Sequence, residues 1–446
     1  MNRLFGTDGV RGLANTDLSP ELAFKLGLYG GEIFKKTGNG EFLLGRDTRL
    51  SGQMLKSSLA AGLMAAGLNV IDLGIVSTPL VAYLVMEGNF SGGAVISASH
   101  NPYEYNGIKF FDTDGFKLTD DEEDQIQKMI DEDLVLEKNT FDKIGSLIDG
   151  EDLVHAYEAY MRSLARTSFK GLKIGVDCGN GATYKMGPEI LKDLGAEVVA
   201  INTDPDGKNI NASCGSTNPD LISKLVVEES CDLGFSFDGD ADRLIAVDEK
   251  GRVIDGDHML AIFAKDLMTN ERLSSKRVIG TVMTNMGLDD YLRDLGMEVV
   301  RSQVGDRYVL EEMLRGKDSI GGEQSGHIIF LDYNTTGDGL ATGVHLVNAI
   351  LSSGEKPSVL NDMVKRYPQV LVNAHIDNKK KYSYMENDII RREIEKIERD
   401  FGQTGRVVIR PSGTEPLVRV MIEGKDQDLI DQVAKKLAAT IEDQLK

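Results

Sequence analysis

The fold is decided by the stretch LKIGVDCGNGATYKMGPEILKDLGAEV, residues 172–198. An apolar run at 172–177 predicts a strand, the stretch at 184–194 predicts an amphipathic helix, and a Leu-Gly turn then leads into a second apolar run. The same order recurs at 42–70 and at 277–299. A strand, a helix and a strand at this spacing are typical of a βαβ unit with parallel strands. The chain is therefore predicted to contain three similar α/β units.

Each unit continues with a further strand that runs into a loop rich in Gly, Ser or Asp. These loops read SASHNP at 97–102, DGDADR at 238–243 and GEQSGH at 322–327. Ligands bind at the carboxyl ends of the strands in α/β sheets. We therefore expect the three loops to face one central cleft.

The final part of the chain has a different pattern of elements. Short apolar runs alternate there with two helical stretches, at 386–399 and 429–445, which is typical of a small α+β domain. Polar, Gly-containing stretches separate the regions. The predicted organisation is three doubly wound α/β domains and a C-terminal α+β domain. The predicted boundaries are 1–150, 151–254, 255–367 and 368–446.

The composition excludes several classes of function. Lys and Arg number 50 against 71 Asp and Glu, so the net charge is −21. Such a surface repels nucleic acid and anionic membrane, and neither is an expected partner. No stretch approaches the ~20 continuous apolar residues of a membrane span. The start MNRLFG has no charged-then-apolar signal region, so a cytoplasmic location is expected.

The cysteines Cys178, Cys214 and Cys231 are odd in number, and none lies in a CxxC pair. A disulfide framework and a structural zinc site are therefore not expected. We predict free thiols.

The second loop carries Asp238, Asp240 and Asp242 directly after an apolar strand. Three carboxylates this close repel one another unless a cation lies among them, and hard oxygen ligands suit Mg²⁺. A calcium loop would need Gly at its sixth position, which holds Arg243. A solvated acidic turn is the remaining alternative. Arg243 is in addition a phosphate-binding cation beside the carboxylates.

The first loop offers Ser99 as a nucleophile, with His100 adjacent and Lys109 a few residues further on. A serine hydroxyl alone is a weak nucleophile and needs activation. Serine and asparagine also favour turns for backbone reasons alone, so a purely structural loop is the alternative here.

The third loop places Glu323, Ser325 and His327 at alternating positions. On a strand, such side chains would point the same way and could bind sugar hydroxyls. Taken by itself, however, this pattern favours an ordinary polar hairpin.

Two further stretches carry cations and glycines. The segment RPSGTEP at 410–416, followed by Arg419, combines guanidinium groups, hydroxyls and backbone N–H groups into a predicted anion site. At the N-terminus, FGTDGVRG at 5–12 is expected to bring Arg11 toward the cleft near Ser99.

Taken in order, these stretches resemble the motifs of the α-D-phosphohexomutase superfamily. The motifs are FGTDGVRG at 5–12, SASHNP at 97–102, DGDADR at 238–243, GEQSGH at 322–327 and RPSGTEP at 410–416. The resemblance covers essentially the whole chain. It is greatest to the bacterial members that act on glucosamine phosphate. It implies that the three α/β domains are followed by a domain of the TATA-binding-protein-like type.

The resemblance also implies a role for each group of residues. Ser99 carries the phosphoryl group, and its phosphate joins Asp238, Asp240 and Asp242 as ligands of one Mg²⁺ per chain. The groups that assist catalysis would be Arg11, His100 and Lys109. The residues that bind the substrate would be Arg243, Glu323, Ser325, His327, Arg410, Ser412, Gly413, Thr414 and Arg419.

The implied activity is that of an isomerase, an intramolecular phosphotransferase that interconverts glucosamine 6-phosphate and glucosamine 1-phosphate. An enzyme phosphoserine and glucosamine 1,6-bisphosphate would be the intermediates, and the product would feed amino-sugar nucleotide and cell-wall precursor synthesis. The partner would be a small phosphosugar, and a homodimer is possible. The alternatives are a phosphomannomutase or phosphoglucomutase of the same superfamily and, from other classes, a metal-dependent phosphosugar phosphatase or a non-catalytic sensor.

Overall fold

A computed structural model describes residues 3–6, 8–137, 139–377, 380–402, 404–411 and 416–445 of the chain. The chain divides into two compact units. The first unit contains Met1–Thr281 and Val300–Met363, and the second contains Val282–Val299 and Val364–Lys446.

The N-terminal part of the first unit is built on one mixed sheet with helices packed against it. Its strands are β1 (Phe5–Gly6), β2 (Gly9–Leu13), β3 (Glu41–Arg46), β4 (Asn69–Ile75), β5 (Gly92–Ile96), β6 (Tyr105–Phe111) and β7 (Leu147–Asp149). Its helices are α1 (Pro20–Phe34), α2 (Gly52–Ala65), α3 (Thr78–Glu87), α4 (Asp120–Asp131) and α5 (Glu151–Ser163), with a 3₁₀ turn at Phe141–Lys143.

Two further sheets follow along the chain. The second is formed by β8 (Lys173–Asp177), β9 (Glu197–Ile201), β10 (Leu233–Phe237), β11 (Leu244–Asp248) and β12 (Val253–Ile254). The third is formed by β13 (Arg277–Thr281), β14 (Glu298–Ser302), β15 (Ile320–Gly322) and β16 (Ile328–Phe330). The helices are α6 (Met186–Asp193), α7 (Asp220–Glu228), α8 (Gly256–Thr269), α9 (Met286–Asp294), α10 (Asp306–Gly316), α11 (Gly339–Ser353) and α12 (Pro357–Asn361).

The three sheets share one strand order. The first contains β6-β5-β3-β4, the second β11-β10-β8-β9, and the third β16-β15-β13-β14. In each, a parallel pair (β3 with β5, β8 with β10, β13 with β15) is followed by an antiparallel strand. The loop between that last parallel strand and its antiparallel partner is, in every sheet, one of the three motif loops. The predicted repetition of α/β units is confirmed.

Close helix packing over the first sheet depends on glycine. A Cβ on Gly27 of α1 would lie 2.2 Å from the carbonyl oxygen of Leu59 in α2, so only glycine permits this approach. The helices cover the buried side chains of Phe42 and Leu44 on β3. Ser19 begins α1 by accepting the N–H of Leu22 at 3.1 Å, before Pro20 at the first helical position. This packing holds the strand ends that carry the first motif loop.

The second unit contains an antiparallel sheet in the order β17-β19-β18, made of β17 (Gln369–His375), β18 (Gly405–Pro411) and β19 (Leu417–Gly424). Helices α13 (Asp388–Phe401) and α14 (Gln427–Leu445) bury their apolar faces in its core, after a 3₁₀ turn at Tyr384–Glu386. The predicted α+β character of this region is confirmed.

A buried carboxylate ties α9 to this sheet. Glu423 is fully buried, accepts the backbone N–H of Met286 at 2.8 Å and pairs with Arg406 at 2.5 Å. A negative charge at the N-terminus of a helix is favourable, because the first N–H groups have no partner within the helix. The second unit therefore includes α9 together with the C-terminal sheet.

The cysteines Cys178, Cys214 and Cys231 are free, as predicted, and all three are buried. Among the described residues, no helix has the length and apolar character needed to cross a bilayer.

Candidate active site

The first motif loop holds Ser99 in an unusual conformation. Its φ angle is +52°, in the left-handed region, and the residue is 1% exposed. For a residue other than glycine this conformation costs about 1–3 kcal/mol, and it persists only where the surroundings enforce it. The Ser99 Oγ donates a hydrogen bond to Asp238 Oδ2 at 2.6 Å. The candidate nucleophile therefore points directly at the second motif loop.

Asp238, Asp240 and Asp242 are all buried, and one carboxylate oxygen from each lies within 4.8 Å of the others. Burial raises the pKa of Asp238 well above its ordinary value, and the charges of Asp242 and Asp240 raise it further. Asp240 Oδ1 and Asp242 Oδ1 are buried without a hydrogen-bond partner among the described residues. Buried carboxylate oxygens normally have partners, so this donor set fits a hard divalent cation. The three residues form a candidate metal site.

Lys109 on β6 lies beside these carboxylates and is 1% exposed. Its Nζ is 2.8 Å from Asp240 Oδ2, 3.5 Å from Asp242 Oδ2 and 3.0 Å from Asp8 Oδ2. Burial by itself lowers the pKa of Lys109, but Asp240, Asp8 and Asp242 together raise it above its ordinary value. The ammonium group therefore stays charged, which suits charge stabilisation and not proton abstraction.

The carboxylate of Asp8 forms ion pairs with three cationic side chains. Besides Lys109, it pairs with Arg11 and with Lys117. Arg11 lies on β2, and its Nη1 is 3.5 Å from the carbonyl oxygen of Ala98, one residue before Ser99. The structure thus brings Arg11 to the Ser99 loop, as the sequence suggested.

His100 lies between the nucleophile and a guanidinium group. Its Nδ1 is 3.3 Å from Ser99 Oγ and 3.4 Å from Arg243 Nη1. Burial, together with the positive charges of Arg243 and Arg11, lowers the pKa of His100 to about 4. The imidazole is therefore neutral near pH 7, and Nδ1 can accept a hydrogen bond from either neighbour.

The third motif loop is a turn, in agreement with the predicted loop and with the polar hairpin that its pattern favours by itself. Residues 323–327 connect β15 to β16, and the alternative of alternating side chains on a strand is not formed. Gly326 has a φ of +90° and lies against the carbonyl oxygen of Leu244, and this close approach requires glycine. Glu323 Oε1 accepts the N–H of Gly305 at 3.1 Å, and the Ser325 hydroxyl is 3.4 Å from Glu323 Oε2.

His327 faces the metal cluster from this turn. Its Nδ1 is 3.7 Å from Asp242 Oδ2, and its Nε2 accepts the backbone N–H of Gly337 at 3.0 Å. Because Nε2 is an acceptor, the ring proton lies on Nδ1, toward Asp242. The three motif loops thus meet around one cluster of charged groups.

In the second unit, Arg410 on β18 and Arg419 on β19 are directly opposite each other in the antiparallel register. Facing residues of an antiparallel pair lie on the same side of the sheet. Ser412, Gly413 and Thr414 lie outside the described residues. The two arginines therefore share one face of this sheet.

Sequence reasoning missed several residues of the site. Thr78 donates its hydroxyl to Asp240 Oδ2 at 2.5 Å, and Asn211 donates to the carbonyl oxygen of Ser99 at 2.8 Å. Asp47 and Arg49 form a fully buried ion pair beneath the Ser99 loop. Asp8 is the other omission. The available signal was position, because Asp47 and Arg49 directly follow β3 and Thr78 shortly follows β4, at the same ends of parallel strands as the motif loops.

Comparison with known proteins agrees with this arrangement. Family models described as phosphoglucomutase/phosphomannomutase match in chain order: α/β/α domain I at residues 2–135, domain II at 153–251, domain III at 255–367 and the C-terminal domain at 371–440. A phosphoglucosamine mutase of Alkaliphilus oremlandii is 50% identical over the full length of both chains, and one of Thermoanaerobacter sp. is 51% identical over the same coverage. The chain belongs to the phosphoglucosamine mutases of the α-D-phosphohexomutase superfamily. The family predicted from the five motifs is confirmed.

Solved structures share the fold of this phosphohexomutase. A phosphoglucomutase/phosphomannomutase family protein from Burkholderia thailandensis gives a TM-score of 0.83 at 26% identity, covering 100% of this chain and 98% of its own. The N-acetylphosphoglucosamine mutase of Aspergillus fumigatus, solved with GlcNAc-6P and magnesium, gives 0.72 at 18% identity, covering 99% and 96%. The second likeness concerns the fold alone.

Proposed function

We propose that the chain interconverts glucosamine 6-phosphate and glucosamine 1-phosphate through a phosphoserine at Ser99. The relatives that are about half identical over their whole length are phosphoglucosamine mutases, and the predicted isomerase class agrees with them. The observation that carries the mechanism is the 2.6 Å contact between Ser99 Oγ and Asp238, within a buried cluster of three aspartates.

The proposed cofactor is one Mg²⁺ held by Asp238, Asp240 and Asp242, with the Ser99 phosphate as a further ligand. The partnerless buried oxygens of Asp240 and Asp242 support this assignment. When bound, Mg²⁺ would offset negative charge on the phosphoryl group that is transferred. Phosphoryl transfer depends mostly on positioning and on charge stabilisation.

Lys109, Arg11 and Arg243 would supply the positive charges of the protein itself. A phosphoserine carries about two negative charges near pH 7, so several cations are needed around it. The raised pKa of Lys109 supports a role as a fixed charge, and we assign it no role as a base. His100 would contact the Ser99 oxygen as a neutral imidazole.

In the first step, O1 of the sugar would attack the phosphorus of phosphoserine and the bond from phosphorus to Ser99 Oγ would break. O1 would give up its proton, and the leaving Ser99 oxygen would take up one in its place. The product is glucosamine 1,6-bisphosphate. After this intermediate turns round, Ser99 Oγ would attack the 6-phosphate and the bond between phosphorus and O6 would break. Ser99 Oγ would then give up its proton, and O6 would take up one in its place. Glucosamine 1-phosphate leaves, and phosphoserine is restored.

We assign sugar binding to Glu323, Ser325 and His327 and the phosphate that does not react to Arg410, Ser412, Gly413, Thr414 and Arg419. In this proposal, residues 1–150 carry the phosphoserine, 151–254 the metal, 255–367 the sugar site and 368–446 the phosphate site. The reaction would take place in the cytoplasm.

The test is turnover of glucosamine 6-phosphate with Mg²⁺ and a trace of bisphosphate, followed by ³¹P NMR, for wild type and Ser99→Ala. The variant should lose steady-state turnover, while Ser57→Ala, an exposed serine on α2, should keep it. Appreciable turnover by Ser99→Ala would refute the assignment of the nucleophile. Release of inorganic phosphate without isomerisation by the wild type would instead indicate a phosphatase.

A further inference from the structure

The peptide groups on both sides of Ser99 are held by three side chains, and two of these, Arg49 and Asn211, lie outside the sequence motifs. The Ser99 carbonyl oxygen accepts two hydrogen bonds, from Arg49 Nη2 at 2.8 Å and from Asn211 Nδ2 at 2.8 Å. The Ser99 N–H donates to Ser97 Oγ at 3.0 Å. These contacts fix the main chain of the nucleophile and leave its Oγ free to face Asp238.

Arg49 is fully buried, and its charge is compensated by Asp47, whose Oδ2 is 2.8 Å from Arg49 Nε. The same Asp47 oxygen accepts the hydroxyl of Ser97 at 2.6 Å. The Ser97 hydroxyl proton is therefore used toward Asp47, and its oxygen is left to accept the N–H of Ser99. Arg49, Asp47 and Ser97 thus form one continuous chain of hydrogen bonds that ends at the nucleophile.

The guanidinium group of Arg49 also donates hydrogen bonds to other residues of the Ser99 loop. It donates to the carbonyl oxygen of Asn101 at 2.9 Å and to that of Tyr105 at 3.2 Å. An arginine is suited to this task, because its planar group presents several donors in a fixed geometry. One side chain thus donates hydrogen bonds to several carbonyl oxygens of the Ser99 loop.

Asn211 comes from the α/β region that carries the metal loop, in the segment after β9. It has a φ of +56°, and its amide also reaches the carbonyl oxygen of Asn101 at 3.2 Å. The neighbouring Gly239, between Asp238 and Asp240, lies so close that a Cβ there would be 2.6 Å from the Ser99 carbonyl oxygen. The main chain of Ser99 is therefore held at the contact between its own region and the region that carries the metal loop.

We propose that Arg49 and Asn211 are positioning residues that hold Ser99 in its left-handed conformation and direct its Oγ at the aspartate cluster. Asn211 makes this alignment depend on the docking of the metal-loop region against the Ser99 region. The proposal rests on the proposed function, in which Ser99 carries the transferred phosphoryl group.

The sharpest test uses two substitutions at Asn211. Asn211→Gly removes the amide and keeps the positive φ accessible, whereas Asn211→Asp keeps the size but turns a donor into an acceptor that faces two carbonyl oxygens. Asn202→Gly is the matched control, because Asn202 also has a positive φ, +52°, but its amide donates to Asp177.

Misplacement of a reacting group by about 1 Å can cost about 100-fold in rate. We therefore expect kcat for glucosamine 6-phosphate to fall by about 30- to 100-fold in Asn211→Gly and further in Asn211→Asp, with KM changed less than about threefold. The single-turnover rate of phosphoryl transfer from phosphoserine should fall by the same factor. Asn202→Gly should keep kcat within about twofold.

Arg49→Lys tests the other donor. It keeps a positive charge for Asp47 but loses the fork that reaches the carbonyl oxygens of Ser99 and Asn101. We expect a fall in kcat at least as large as in Asn211→Gly, again with little change in KM. The control is Arg252→Lys, because Arg252 also pairs with an aspartate, Asp248, and donates to a backbone carbonyl, that of Ser358.

Hydrogen–deuterium exchange of peptides covering 97–105, measured on the full chain without sugar, gives a readout independent of activity. Faster exchange in Asn211→Gly than in Asn202→Gly is expected. If kcat and exchange in Asn211→Gly match the control, the positioning role is wrong, as it is if only KM changes. If the wild type itself fails to isomerise the amino sugar, the proposed function fails, and the exchange comparison still decides whether Asn211 holds the loop.

Discussion

Replacement of Lys109 by methionine distinguishes an electrostatic role of this residue in the active site from a role in stabilising the fold. Its ammonium lies 2.8 Å from Asp240 and 3.5 Å from Asp242, two of the three proposed Mg²⁺ ligands, and 3.0 Å from Asp8. Methionine keeps most of the length and removes the charge. The variant should therefore lose catalysis, since a cation beside the transferring phosphoryl group is gone, and yet bind Mg²⁺ more tightly.

The size of the metal effect follows from the spacing of the charges. A double and a single positive charge about 6 Å apart repel by about 3 kcal/mol at an effective dielectric constant of about 40. Such an energy corresponds to about 100-fold in a dissociation constant. Relaxation of the site will relieve part of it, so we expect Mg²⁺ to bind about 10- to 100-fold more tightly, with kcat reduced by at least about 100-fold.

Calorimetric titration of the metal-stripped proteins with Mg²⁺ measures the affinity, and turnover of glucosamine 6-phosphate measures kcat. Lys56→Met is the control, because Lys56 is also buried and paired with one carboxylate, Asp72, away from the aspartate cluster. It should lose thermal stability without a change in Mg²⁺ affinity. An affinity in Lys109→Met that is unchanged or weaker would refute the electrostatic reasoning.

Two further predictions concern other parts of the chain. Arg410→Ala should raise KM for the phosphosugar with kcat little changed, because it removes binding that is equal in the ground and transition states. The control Arg399→Ala, at an exposed position on α13, should leave steady-state kinetics unaltered. An unchanged KM in Arg410→Ala would contradict the proposed phosphate site. Burial raises the pKa of Glu123 in α4 to about 7, above an unfolded value of about 4.3. Between these two pH values, the folded state holds a proton that the unfolded state has lost. The free energy of unfolding therefore falls as the pH rises through this range. The difference in melting temperature between Glu123→Gln and wild type, measured by calorimetry, should therefore be more favourable to the variant at pH 8 than at pH 5. For Asp121→Asn, exposed on the same helix, this difference should be the same at both pH values. An equal difference at both pH values for Glu123→Gln would contradict the reasoning.

Much of the fold was predictable because its signals are local. The strand predicted at residues 172–177 is β8, which spans Lys173–Asp177, and the helix predicted at 184–194 is α6, which spans Met186–Asp193. Alternation of apolar runs with amphipathic stretches is read within a window of a few turns. The loop predicted at 322–327 is likewise observed as a turn, whereas the approach of its Gly326 to Leu244, about 80 residues away in sequence, has no local signal.

The chemistry of the site was predictable where it is concentrated in a motif. The spacing of Asp238, Asp240 and Asp242 by itself predicts a metal site. By contrast, Thr78 touches Asp240 across 162 positions of sequence, and Asn211 touches Ser99 across 112. Neither residue stands in an unusual local pattern. The position of Thr78 just after β4 is the one sequence signal for it, and the contact that each residue makes comes from the packing of separate regions of the chain.

The glycines that line the motif loops have a consequence for how this architecture can change. Gly239 meets the carbonyl of Ser99, and Gly326 meets that of Leu244, each with no room for a methyl group. A chimera that exchanges one α/β region for that of a distant relative must therefore match main-chain shape at these two points. Identity elsewhere at the junction would matter far less. Substitutions can accumulate at exposed positions of the outer helices, while the contacting residues of two regions must change together.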